Sequence, residues 1–86
     1  MMSNPGYHLN PIPKGIYGDF SKIIEEFLEL QDSVEQHNKI MTLNEISDLY
    51  GAINGFLEKN YTGISMWDIA DMSKVTSRSF KSGERK

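Results

Sequence analysis

Cysteine is absent from the 86-residue chain, so neither a disulfide nor a thiolate metal site contributes to its stability. Basic residues are few. Nine Lys and Arg against twelve Asp and Glu leave a net charge of −3, which argues against nucleic acid as the main partner. No apolar run approaches the roughly 20 residues of a membrane span. The opening MMSNPGYHLNPIPKG also lacks the basic start and apolar run of a signal peptide. A soluble, cytoplasmic protein with no membrane partner is expected. The two histidines, His8 and His37, have no partner at metal-ligand spacing and read as surface residues. Length is the last shortage: a domain this small builds only a marginal core by itself. A second copy of the chain is the expected remedy, giving a homodimer or homotetramer in which amphipathic hairpins pair their apolar faces.

What is present reads as a single all-α domain over residues 1–86. Residues 1–17 hold all three prolines with Gly6 and Gly15, show no periodicity, and read as an irregular arm. Tyr7, His8, Ile12 and Tyr17 are its candidates for packing onto the helices or covering a ligand. Helix one is expected over 19–37, with Asp19 or Ser21 as N-cap and the polar stretch Gln36-His37-Asn38 as its end. Helix two is expected over 42–60. It opens at Thr42-Leu43-Asn44-Glu45, a capping box in which the Glu side chain reaches back to the first backbone N–H. Gly51 and Gly55 lie inside it and each costs about 1 kcal/mol relative to Ala, which points to close approach of another helix. Asn60-Tyr61-Thr62-Gly63 reads as a turn. A second capping box, Ser65-Met66-Trp67-Asp68, opens helix three over 65–80, with Trp67, Ile69, Ala70, Met72 and Val75 to dock it. A basic tail fills 81–86. The predicted architecture is a helical hairpin plus a third helix, completed to a four-helix-type bundle by a second subunit.

The chemistry lies in the acids. Helix one carries Glu25-Glu26-Phe27-Leu28-Glu29 and helix two carries Glu45-Ile46-Ser47-Asp48, or E-E-x-x-E followed by E-x-x-D. Residues three apart share a helix face, so Glu26 pairs with Glu29 and Glu45 with Asp48. Ile23, Phe27, Leu30 and Val34 form an apolar stripe with Glu26 at its edge. Leu43, Ile46, Leu49, Ile53, Phe56 and Leu57 form another, and Glu45 falls just inside it. Carboxylates on the border of a buried face repel one another, and burial further disfavours their ionised forms. Hard cations among them resolve this, since Mg²⁺ and Mn²⁺ take carboxylate oxygens and are completed by phosphates and water. The plainer alternative is two solvated helices with ordinary surface acids. Beyond the acidic middle lies a basic end, with Lys74, Arg78, Lys81, Arg85 and Lys86 against only Glu84. Acids for cations and bases for phosphates are what a metal–phosphate site needs.

This pattern of acids, with the hairpin SKIIEEFLELQDSVEQHNKIMTLNEISDLYGAI and the tail KVTSRSFKSGERK, resembles the MazG-like, all-α nucleotide pyrophosphohydrolases, in particular their short phage-type members. The resemblance covers residues 14–86. It implies that Glu26, Glu29, Glu45 and Asp48 are metal ligands for Mg²⁺ or Mn²⁺. Glu25 becomes a further ligand, an outer-shell group or the proton acceptor for the attacking water. Lys74 and Arg78 become the phosphate-binding residues. The implied reaction is hydrolysis of a nucleoside triphosphate to the monophosphate and pyrophosphate, in the cytoplasm of a host cell if the chain is phage-encoded. Tyr17, Phe20, Asn54 and Trp67 are then candidates for the base and sugar, with packing as the competing role of each aromatic. A ferritin-like di-metal protein is disfavoured because its Glu-x-x-His pairs have no counterpart here. The remaining rival is a non-catalytic helical module, an inhibitor or adaptor whose acids meet a basic partner.

Overall fold

A computed structural model of the chain describes residues 8–83. Three helices follow an extended arm: α1 (Phe20–Glu35), α2 (Lys39–Asn60) and α3 (Met66–Ser82). Among the described residues the chain is helical, as its sequence predicts, and no helix is long and apolar enough to cross a membrane. Tyr7 of the arm and residues 84–86 of the basic tail lie outside the described residues.

Helix α1 starts at Asp19, whose side chain makes no cap hydrogen bond and instead pairs with Lys59 near the end of α2. Asn60 reinforces the same junction, its Nδ2 donating to the Gly18 carbonyl at 3.1 Å. At the other end α1 stops in a tight turn, where His37 adopts a left-handed φ of 57° and the Asn38 N–H returns to the Ser33 carbonyl. The Asn38 side chain then accepts from the Met41 N–H at 3.0 Å and caps α2. Helix two thus begins three residues before the Thr42 capping box expected for it. The Thr42 N–H is held by the Asn38 carbonyl, and Glu45 lies in the second turn with its carboxylate released from any capping duty. The second predicted box is present: Ser65 and Asp68 cap α3 reciprocally.

The hairpin of α1 and α2 is the packed unit, and its interior meets the amphipathic expectation only in part: Ile23, Leu30, Leu49, Ile53 and Phe56 are half-buried and Leu57 is buried. Buried side chains on α1 are Glu25, Glu26, Asp32 and Ser33, while Val34 is 55% exposed and Leu43, opposite it on α2, is 67% exposed. The buried apolar residues are Ile12 of the arm and Ala52 and Leu57 of α2. Phe27 and Ile46, expected inside, also face solvent. The cause is that α3 does not fold back. Among the described residues only α1 and α2 pack extensively, and α3 has no buried residue. The docking expected of Trp67, Ile69, Ala70, Met72 and Val75 therefore does not occur within one chain. The radius of gyration, 14.9 Å, exceeds the roughly 12 Å of a compact domain of this length.

The arm lies along α1. The Leu9 N–H donates to both carboxylate oxygens of Asp32 at 2.9 and 2.8 Å, and the Asn10 N–H to one of them at 3.0 Å. Further on, the Gly15 N–H donates to Glu25 Oε1 at 2.8 Å and the Ile16 N–H to Ser21 Oγ at 3.0 Å. This pinning corrects the reading of His8: it is buried, while His37 is exposed as expected. The arm then delivers the Tyr17 ring onto Gly55, where an added Cβ would fall inside the ring. Gly55 makes room for an arm side chain, not for a helix, and Gly51 has open space around it. Gly55→Ala is expected to expel the Tyr17 ring, because the tip of a side chain moves more cheaply than a backbone. The gain of about 1 kcal/mol in helix propensity offsets the lost contact. Thermal melting should change little while the Tyr17 ring resonances move in an NMR spectrum; unmoved resonances would show the packing to be wrong.

Candidate metal centre

Glu26, Glu29, Glu45 and Asp48 converge across the α1–α2 seam. Each presents one oxygen within 4.8 Å of the others. Magnesium takes oxygen ligands at about 2.0–2.1 Å, so oxygens gathered this closely can close on one such ion. Glu26 and Glu45 are only 4% and 5% exposed, which excludes ordinary surface acids. Asp48 sits at the open rim. Glu26, Glu29 and Asp48 floor a groove of about 440 Å³, walled by Lys14 and Tyr17 from the arm, Lys22 and Glu25 from α1, and Gly51 from α2, while Glu45 is buried and does not line it. Small-ligand sites begin at roughly 300 Å³.

The electrostatics divide adjacent residues. Burial pushes the carboxyls of Glu26, Glu29 and Glu45 above the ordinary glutamate range, and their neighbours' charges push the same way. Lys22 opposes the rise at Glu26. Glu29 stands between Glu26 and Glu45 and interacts with both. Glu45 Oε2 is buried and accepts no hydrogen bond, and Glu45 belongs to an all-oxygen donor set suited to a hard divalent cation. Glu25 differs. Burial pushes its carboxyl up, but the Gly15 N–H, Lys22 and Lys14 outweigh burial and hold it below the ordinary value. Asp32 behaves alike: the Leu9 and Asn10 N–H groups, Gln36 and His8 overcome its burial. His8 joins the two sets, its Nε2 3.7 Å from Glu29 Oε1 and its Nδ1 3.7 Å from Asp32 Oδ1.

Other candidates lie elsewhere. Lys74 is on α3 beside Asp71, 3.4 Å from its Oδ1, and Arg78 is exposed one turn further on. Trp67, 83% exposed, borders a separate hollow with Tyr50 and Met66. Asn54 is half-buried on α2 and Phe20 packs edge-on against Phe56, centroids 6.2 Å apart; neither lines the groove. Tyr17 does. Sequence reasoning missed Lys14, Lys22, His8 and Asp32. Two of them carried a signal: Lys22 stands three and four residues before Glu25 and Glu26, and Glu25, Glu29 and Asp32 form an i, i+4, i+7 row that marks the buried face.

Fold and site together define a class: an all-helical chain whose hairpin buries a carboxylate cluster suited to a hard cation. Comparison with protein-family models, curated proteins and solved structures gives no match.

Proposed function

We propose that the chain is a Mg²⁺-dependent nucleoside triphosphate pyrophosphohydrolase, with Mn²⁺ as an alternative ion, that releases pyrophosphate and a nucleoside monophosphate. The observation that carries this reading is the convergence of four carboxylates across the seam, one of them Glu45 with a buried, unpartnered Oε2. A divalent ion bound there supplies an acidified water and neutralises charge on the transferring and leaving phosphate oxygens. Glu26, Glu29, Glu45 and Asp48 would hold it, with Asp48 at the exposed rim. Glu25, fixed as an anion by Lys22 and the Gly15 N–H, acts outside the ligand set and keeps the arm in place. Tyr17, with one side on Gly55 and the ring bordering the groove, offers a stacking surface for the base.

A second copy completes the bundle in this reading. Support comes from the outward apolar stripe of the hairpin and the exposed apolar residues of α3, including Trp67, Met72 and Val75. Lys74 and Arg78 then approach a groove from the partner subunit. The test is incubation of purified protein with each ribo- and deoxyribonucleoside triphosphate and Mg²⁺, with identification of products. Pyrophosphate plus a monophosphate is the expected outcome. Absence of turnover with all of them leaves the non-catalytic interaction module as the better reading.

A further inference from the structure

Two lysines share the groove with the acids, and their placement is lopsided. Lys22 Nζ stands 3.1 Å from Glu25 Oε1 and 3.1 Å from Glu26 Oε2. Lys14 Nζ lies 3.7 Å from Glu25 Oε2. No lysine or arginine among the described residues comes within 4 Å of Glu45 or Asp48. The groove is therefore cationic where the arm joins α1 and anionic across the seam with α2. A ligand that matches both ends carries its own negative charge at one and brings cations to the other, as a metal-bound polyphosphate does.

Glu25 is satisfied several times over, by the Gly15 N–H, Lys22 and Lys14. Glu26 is the divided residue, paired with Lys22 while belonging to the four-carboxylate cluster. A cation taken up by Glu26 replaces Lys22 as its counter-charge. An ammonium has three donors, so Lys22 can stay tethered to Glu25 while one donor is freed into the groove. The Lys14 side chain is already more than half exposed.

We propose that Lys14 and Lys22 form the phosphate-binding end of the groove within a single chain, and that Lys22 exchanges Glu26 for a phosphate oxygen when the divalent ion binds. This rests on the metal-dependent reading above and names the substrate class at that site: a polyphosphate presented as its metal complex, gripped by arm and α1. It also gives the single chain a phosphate contact independent of Lys74 and Arg78.

The test is calorimetric, on the full chain, in two titrations. The first adds Mn²⁺ alone; the second adds imidodiphosphate, a non-hydrolysable pyrophosphate analogue, to Mn²⁺-saturated protein. Lys22→Met should bind Mn²⁺ more tightly than wild type, because a competing charge is gone, and imidodiphosphate at least about tenfold more weakly, the loss of one charge-assisted hydrogen bond. Lys14→Met, altered at an exposed side chain with Gly15 N–H and Lys22 still holding Glu25, should leave Mn²⁺ binding unchanged and weaken imidodiphosphate. Lys22→Arg should retain most of the anion affinity. If both methionine variants bind imidodiphosphate within about twofold of wild type, less than a charged contact is worth, the lysines are not the phosphate end. If Lys22→Met binds Mn²⁺ more weakly, Lys22 organises the acids and the exchange is wrong. If wild type takes up no Mn²⁺, the metal centre itself falls, a result distinct from either.

Discussion

Glu45→Gln is expected to lower turnover at least about 10³-fold, since several kcal/mol of charge stabilisation are at stake and each ~1.4 kcal/mol is tenfold. The same substitution should leave the metal-free protein as stable as wild type or raise its melting temperature. Burial and the charges of Asp48, Glu26 and Glu25 push the Glu45 carboxyl up, so its ionised form is disfavoured in the fold and a neutral amide is not. The new amide can also donate to Glu29, which the wild-type carboxylate does only when protonated. Glu25→Gln is the control of opposite sign. Glu25 is held anionic by the arm and Lys22, and losing that charge should loosen residues 8–17 and lower the melting temperature. Full activity in Glu45→Gln, or a melting temperature well below wild type, would remove Glu45 from the metal centre.

The second large effect is thermal stabilisation by Mg²⁺ or Mn²⁺, and its pH dependence has a definite sign. Glu26, Glu29 and Glu45 have raised folded-state pKa values. Their contribution is fully present below the ordinary glutamate value of 4.5 and is lost as pH rises through their folded values. Glu25 and Asp32 are lowered. Theirs is present above ordinary values of 4.5 and 3.8 and is lost as pH falls through their folded values. Metal-free protein should therefore be most stable on the mildly acidic side and weaken towards neutrality as the cluster ionises. An ion that replaces the protons reverses this. At 100 times its dissociation constant it adds about 2.7 kcal/mol, which is about 10 °C or more for a domain under 100 residues. Differential scanning calorimetry at pH 5 and pH 7.5 reads it directly. The increment should be large at the higher pH and shrink at the lower, where protons compete for the same oxygens. An increment that is absent at pH 7.5, or that grows on acidification, contradicts cation binding by these carboxylates.

Residue chemistry and spacing were enough to make some features legible. Three helices, the turn at Asn60–Gly63, the Ser65–Asp68 cap and the pairing of Glu26 with Glu29 and of Glu45 with Asp48 all follow from contacts three or four residues apart, which a helix fixes by its own geometry. The face turned inwards was legible only in part. Phe27, Val34, Leu43 and Ile46 form the apolar stripes that burial would favour, yet within one chain they face outwards and Glu25, Glu26 and Glu45 lie inside. A stripe records what a helix can bury, and whether another element arrives to bury it depends on packing that α3 does not supply.

Sequence alone determined the helical elements and the acids that share a face, because both depend on a repeat of 3.6 residues and nothing further away. Tertiary structure decided that Asp32 and Glu25 clamp an arm 10 to 23 residues distant, and that Lys14 and Tyr17 border the acids. Those contacts join segments whose spacing carries no period, and only the folded chain brings them into reach.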